Sequence, residues 1–361
     1  MRTWLVAASV AAWAALSINL LHAQPARPGT FTDPASAGPD YALQGEYAGS
    51  VYFPGRGSEG SGLQVVALGG GKFDAVGYRG GLPGGGWDRN VKLKYSGQSA
   101  DGKVQFMGQA GGYLVDGHTA VAFDANGREL GRLPKIERRS PTMGLAPPRN
   151  ATVLFDGQST DKLQGAKVTP DGLLLAGLLT KMPVDAFRLH LEFRTPFMPA
   201  ARGQARGNSG VYIQQRYEVQ VLDSFGLEGA ANECGGLYTQ TKPDVNMCLP
   251  PLTWQTYDIW FTPPTFGPDG KKSANARITV VHNGVPVHWH REITAKTGGG
   301  KAEGPEPFPI NLQDHGNPVA FRNWWIVPGE GDVELAAAQS APTQSYYAPR
   351  VRLRWLRRHC R

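Results

Sequence analysis

An all-β protein, a two-sheet jelly-roll sandwich preceded by a smaller β-rich unit, is the fold class the sequence predicts, and three observations predict it. Gly 47 and Pro 28 among 361 residues supply turns at short intervals. Apolar residues recur with period two in runs of about four to eight residues, the pattern of half-buried strands. Helical periodicity sustained over several turns is scarce. The length suits about two domains at roughly 150 residues each, enough for a sizeable core.

From the N-terminus, Arg2, an apolar run from Leu5 to Leu21, and Ala23 followed by Gln24 predict a signal peptide over residues 1–23 and an exported, periplasmic or extracellular chain with no stable membrane span after processing. The alternative is an uncleaved anchor, since the run approaches the ~18 residues needed to span a bilayer. Residues 24–43, rich in Pro, Gly and Ala, are expected to form a flexible leader. Residues 44–137 carry GEYAGSVYF, GLQVVAL, KFDAVGY, VKLKYSG, KVQFMG and TAVAF between Gly-rich turns, a small β-rich domain. Within it GGLPGGGW, at 80–87, lacks the Lys-Ser or Lys-Thr and the following helix of a phosphate loop, so it is read as a turn. Residues 138–150, RRSPTMGLAPPRN, form a Pro-rich linker or an extended strap. Residues 151–328 hold about nine or more strand-like runs, enough for a two-sheet sandwich. Asn283-Gly284 between TVVH and VPVHW predicts a tight hairpin. Residues 329–361 lose the pattern and end in a disordered basic tail.

The net charge of +7 invites a nucleic-acid reading, but Arg350, Arg352, Arg354, Arg357, Arg358 and Arg361 supply six of those charges, so the body is near neutral and no nucleic-acid partner is expected for it. The tail alone could touch phosphates or lipids, or simply be solvated. Cys234 and Cys248 lie close together in one loop-rich stretch, and Cys360 lies in the tail. Export predicts a Cys234 to Cys248 disulfide, worth about 3 kcal/mol if unstrained.

The stretch Arg206 to Gly226, RGNSGVYIQQRYEVQVLDSFG, concentrates the chemistry. Val219 and Val221 alternate with Glu218 and Gln220, giving a strand with one apolar and one polar face. Glu218, Gln220 and Asp223 form E-x-Q-x-x-D, which resembles the E-x-D-x-x-E signature of laminarinase-like glycoside hydrolases with Gln220 in place of the middle carboxylate. In a regular strand Glu218 and Asp223 face opposite sides, so joining them needs a bulge or a strand end.

Read together and in order, FDG at 155–157, LHLEFRTPFMP at 189–199, the 206–226 stretch, NECGGLY at 232–238, WQTYDIWFTPP at 254–264, VVHNGV at 280–285 and LQDHGNPVAFRN at 312–323 resemble the 3-keto-disaccharide hydrolase family. The resemblance implies a concanavalin A-like sandwich with the site on its concave sheet. It also implies an oxidised di- or oligosaccharide or glucoside as substrate, its glucosyl ring already a ketone at C3 through a partner sugar 3-dehydrogenase. Such a ketone acidifies the C2 hydrogen, so one base, one enolate polariser and one acid for the leaving oxygen suffice.

Each candidate has a plainer alternative. Glu218 is the expected base, or a solvent-facing or salt-bridged strand carboxylate. Asp223 is a second carboxylate, or a cap on the turn-like Asp-Ser-Phe-Gly. His315, with Asp314 beside it to fix its tautomer, is the expected acid or polariser, or a loop His bonded to backbone. Arg194 and Arg322, with Glu192 and Asn323, could bind sugar hydroxyls, while Arg194 and Glu192 could equally form a structural ion pair. Asn208 and Gln220 suit bidentate sugar contacts, and a two-residue loop at Gln215-Arg216 would pair Asn208 with Asp223. Tyr238, with Tyr212, Trp254, Trp324 and Trp325, could stack on sugar rings or sit in the core. No cofactor is expected, with a divalent metal open only through the i, i+2 spacing of His288 and His290. The functions in contention are a hydrolase or lyase on 3-keto-glucosides, a conventional glycoside hydrolase, and a lectin-like binding module.

Overall fold

The computed structural model describes residues 29–331, so the predicted signal peptide, the start of the leader, and the basic tail with Cys360 lie outside the described residues. Residues 29–43, expected as flexible leader, are packed against the molecule. Ala37 and Leu43 are buried, Phe31 pairs by backbone with Phe197, and the Leu43 carbonyl accepts the Tyr47 hydroxyl at 2.7 Å. Their apolar side chains cover one end of a barrel.

That barrel is closed and antiparallel, its eight strands running in chain order from Gly45–Phe53 to Glu129–Ile136, with the first strand also paired to the last. Alternation sends Tyr47, Leu63, Val65, Phe73, Phe106, Val115 and Leu133 inside, where they fill the interior as expected for eight strands. Part of the outer surface is buried too. Arg138 donates to both oxygens of Glu46 at 2.6 Å, Gln64 donates to Glu46 at 2.9 Å, and the Tyr78 hydroxyl donates to Gln64 at 2.8 Å. The turn 80–87 presses on the sandwich so closely that a Cβ on Gly84, at φ +69, would lie 2.5 Å from the Met247 sulfur.

The sandwich has the two sheets expected. The smaller runs Leu163–Gln164, Leu178–Thr180, Asn311–Asp314, Ser209–Ile213, Tyr217–Val221, and the larger centres on Phe187–Arg194, Gln255–Thr262 and Ala320–Pro328. Val211, Val219, Val221 and Leu312 from one face meet Phe193, Tyr257, Phe261 and Phe321 from the other. The predicted hairpin is present, with Asn283 at φ 50 and Gly284 at φ 80 and His282 opposite Val285.

Residues 138–145 cross the outer face of the larger sheet as a strap. Thr142 donates to Asp258 at 2.7 Å, the Gly144 amide to Glu192 at 2.6 Å, and Asn323 and the Trp325 indole to the Leu145 carbonyl. Under it lies a buried polar cluster in which Glu192 was singled out by the sequence reading but His190 and Asp258 were not. His190 lies 2.7 Å from Asp258 and 3.7 Å from Glu192, with the Trp325 ring stacked on it. Burial opposes a charge on His190, but the two carboxylates outweigh it and raise its pKa. Burial likewise opposes the Glu192 charge, yet bonds from His190, Asn323, Arg322 and Gly144 hold that carboxyl down to about 2.

Candidate active site

Period-two alternation decides which side chains meet on the smaller sheet. With Val211, Val219 and Leu312 facing the core, Gly210, Tyr212, Glu218, Gln220, Asn311 and Gln313 share the opposite face. Register places Asn311, Tyr212 and Glu218 in one row across three strands. The segment 235–238 adds to the sheet edge through a Val219–Leu237 bridge, the Tyr238 amide donating to the Glu218 carbonyl at 3.1 Å, which extends the row to Tyr238. Gln313, Gly210 and Gln220 form the next row.

Glu218 is only 2 % exposed. Loop 297–300 roofs this part of the sheet, with Thr297 accepting the Glu218 amide at 2.9 Å and the Gly298 carbonyl accepting the Tyr212 hydroxyl. Burial raises the Glu218 carboxyl to about 7, and the neighbouring Tyr212 hydroxyl offsets only part of this. Burial and the neighbouring Glu218 in turn raise the Tyr212 phenol. With its amide turned to place nitrogen against acceptors, Gln220 donates to the Ser209 carbonyl at 2.8 Å and to Glu218 Oε1 at 2.9 Å. A carboxylate at position 220 would put a second negative charge there, so with Gln220 in place Glu218 is a lone carboxylate rather than half of an acid pair.

Gly210 makes room for that carboxylate, since a Cβ there would lie 2.2 Å from Glu218 Oε1. Gly210→Ala is therefore expected to displace the Glu218 side chain and lower turnover at least about tenfold, with a secondary loss of stability of about 1–3 kcal/mol from overpacking. Steady-state kinetics with a denaturant titration measure both, and unchanged kcat would show that Glu218 can move without consequence.

The other sequence candidates are distributed differently from expectation. Asn208 lies beside Gln220, gives its amide N–H to Asn317 and its side-chain nitrogen to the Gln204 carbonyl, both at 2.8 Å. The hairpin loop is not the two-residue Gln215-Arg216 turn but spans Gln214, Gln215 and Arg216, with Gln214 and Gln215 in the left-handed region, so Asn208 is one step out of register with Asp223. Asp223 instead binds Arg206 Nε at 2.6 Å and caps the following turn through the Phe225 amide. His315 is exposed, and Asp314 accepts the Gly316 amide at 2.6 Å to close its turn. Asp314 pairs Ser209, which pairs Val221, so His315 lies two strands across and about four residues along from Glu218, roughly 16 Å away.

Arg194 and Arg322 stand on the outer face of the opposite sheet, both over Trp254, at 5.0 and 4.0 Å. Glu192 pairs with Arg322 at 2.7 Å, not with Arg194. These residues are separated from Glu218 by the whole sandwich. Trp324 is core, Trp325 lies beneath the strap, and Tyr238 is half-buried beside Glu218. His288 is buried with Nε2 on the Gly235 carbonyl, its pKa lowered by burial to about 4, while His290 occupies a bulged position at φ 43. Among the described residues no group of three or more His, Cys, Asp or Glu side chains is placed to hold a metal ion.

The expected disulfide is not formed, because Cys234 and Cys248 are free, buried thiols. Cys234 Sγ lies 3.2 Å from the Tyr257 hydroxyl, Cys248 Sγ faces the Leu222 carbonyl at 3.4 Å, and the two thiols share a hydrogen bond. Alkylation is expected to modify both in denaturant without a reductant and neither in the folded protein. Labelling that required prior reduction would restore the disulfide.

Gly210, Gln204, Asn311, Gln313 and Thr297 were missed. Gly210 left a trace in the sequence, a glycine inside an otherwise apolar strand, but Thr297 comes from a loop about 80 residues away with no local signal.

The profile of the 3-keto-alpha-glucoside-1,2-lyase-like domain matches residues 150–327. No curated protein matches the sequence. A crystal structure of a candidate glycosyl hydrolase from Parabacteroides distasonis is similar at 34% identity over 50% of this chain and 84% of that one, with a TM-score of 0.47. A second from the same organism matches at 19% identity over 51% and 98%, with a TM-score of 0.37.

Proposed function

Because the chain belongs, through residues 150–327, to the family of 3-keto-alpha-glucoside-1,2-lyase-like domains and is a carbohydrate-active enzyme of the glycoside-cleaving kind, we propose that it cleaves 3-keto-glucosides with Glu218 as general base. The observation that carries this reading is a single buried carboxylate whose pKa has been moved to about 7 on a face otherwise lined by amides and phenols. A base of that strength is half ionised at neutral pH and strong enough, when ionised, to remove a hydrogen made acidic by an adjacent ketone.

In the proposed sequence Glu218 takes the C2 proton, the C2–H electrons form the enolate, and the enolate oxygen accepts a hydrogen bond from neighbouring donors. Tyr212 and Tyr238 carry the hydroxyls nearest in the row. Reformation of the C3 carbonyl makes the C1–C2 double bond and expels the glycosidic oxygen, which takes up a proton. Water then adds across the enone, its oxygen to C1 and a hydrogen to C2, so the sum is hydrolysis. His315 was the expected acid, but its exposed position favours Tyr212 or Tyr238 in its place. The oxidised substrate requires a sugar 3-dehydrogenase upstream, and in this reading residues 1–23 serve as a signal peptide that would carry the enzyme out of the cytoplasm. Conventional two-carboxylate hydrolysis is disfavoured by the engagement of Asp223 with Arg206.

Incubation with 3-keto-trehalose and with trehalose tests the proposal. Release of sugar from the oxidised substrate alone is expected, with deuterium from solvent incorporated at C2; cleavage of trehalose itself would refute it. kcat/KM is expected to rise with pH through about 7 as Glu218 loses its proton, and then level. A profile flat between about pH 5 and 8 would remove Glu218 as the base.

A further inference from the structure

A cleft of about 410 Å³ lies where the barrel meets the sandwich, within the ~300–1,000 Å³ range of small-ligand sites. It shares no lining residue with the Glu218 face. Val66, Leu68, Val76 and Phe225 supply apolar walls, and Asp74, Ser96, Arg202, Arg206, Asp223 and Glu233 supply polar ones.

The polar groups are balanced among themselves. Arg206 binds Asp223 at 2.6 Å, Lys94 binds Glu228 at 2.6 Å, Glu233 accepts the Gly229 and Ala230 amides, and Asp74 accepts the Ser96 hydroxyl. One group is not satisfied. Arg206 is 5 % exposed, with Nε on Asp223 and Nη1 on the Ala67 carbonyl at 3.2 Å, yet its Nη2 is buried without a partner. A buried guanidinium N–H left unbonded costs about 1–3 kcal/mol, and because Nη2 has less than 1 Å² exposed, a ligand oxygen recovers that cost only with a small turn of the Arg206 side chain toward the cleft.

We infer that this cleft is a second saccharide-binding site, which takes an uncharged sugar unit through Arg206 Nη2 and the surrounding carboxylates. A phosphate or carboxylate ligand would meet the charges of Asp74, Asp223, Glu228 and Glu233, and a cation would meet those of Arg202, Arg206 and Lys94. Sugar hydroxyls accept and donate at once, so they satisfy the Arg206 N–H and the carboxylate oxygens together, while a ring C–H face covers Leu68 and Leu227. The barrel wall thereby acquires a role, since Asp74, Val76 and Ser96 come from it. The inference does not depend on how the Glu218 site works.

Isothermal titration with trehalose, glucose and inorganic phosphate tests it, using the wild-type protein and Glu218→Gln, which separates binding from turnover. Ser96→Trp, on an exposed strand position, fills the cleft and is expected to weaken trehalose binding at least about tenfold. Leu227→Glu, at an exposed cleft residue, is a second blocking variant should the first fold poorly. Trehalose binding lost in either folded variant and retained in Glu218→Gln supports the site. Phosphate binding in preference to sugar, no sugar binding to the wild type, or sugar binding indifferent to both blocking variants overturns it. Failure of the cleavage proposal has a different signature: sugar binds the cleft, but 3-keto-trehalose stays intact.

Discussion

Glu218→Gln is expected to reduce kcat on a 3-keto-glucoside by a factor of about 10²–10⁴, the range supplied by a positioned base, and at the same time to stabilise the protein above pH 7. The second effect follows from linkage. The carboxyl has an ordinary value of 4.5 and is raised to about 7 by burial in the fold, so below 4.5 it is protonated in both states and has no effect. Between 4.5 and about 7 the unfolded chain loses this proton first, and stability falls as pH rises. Above about 7 the deficit is constant at about 3 kcal/mol, from about 1.4 kcal/mol for each pH unit between the two values. Glutamine keeps the shape without the charge and removes the deficit. Urea titrations of the two proteins at acid and alkaline pH should therefore diverge only at the alkaline end. A variant that keeps turnover, or one less stable than the wild type at every pH, would show Glu218 to be a structural, ionised carboxylate.

Arg138→Met is the second large effect, expected to cost about 3–5 kcal/mol in a denaturant titration because it strands Glu46 as a buried charge. The loss should fall chiefly on the barrel and its contact with the sandwich, where Glu46, Gln64 and Tyr78 form one chain of bonds. Adding Glu46→Gln should recover much of it, since the isolated charge and not the missing pair is the cause. If Arg138→Met alone stayed within about 1 kcal/mol of the wild type, water would have to reach Glu46, and the close seating of the barrel would be wrong.

Legibility differed between the fold and the site for identifiable reasons. Strand alternation around Glu218 and Gln220 and the Asn283-Gly284 turn are local signals, and both recur in the structure. Asp223 shows the limit of that method. Its distance along the chain from Glu218 fits a two-carboxylate motif, but Arg206 is a closer partner in space. Sequence could group Arg194 with Arg322 as candidates, but could not show that they lie on paired strands over Trp254, on a sheet that turns its outer face away from Glu218. Cys234 and Cys248 were rightly judged neighbours, while their free thiol state depends on acceptors from Tyr257 and Leu222.

What the sequence by itself determined was local and periodic: β architecture, the polar face carrying Glu218, the tight turns, and the family. These follow from backbone preferences and two-residue alternation, which act over a few positions. Only the tertiary structure decided that Glu218 is roofed by loop 297–300, that His315 stands apart from it, and that the barrel closes a cleft over Arg206. Burial and charge pairing are properties of neighbours brought together from distant segments, and they, not residue type, set whether a carboxylate is a base or half of an ion pair.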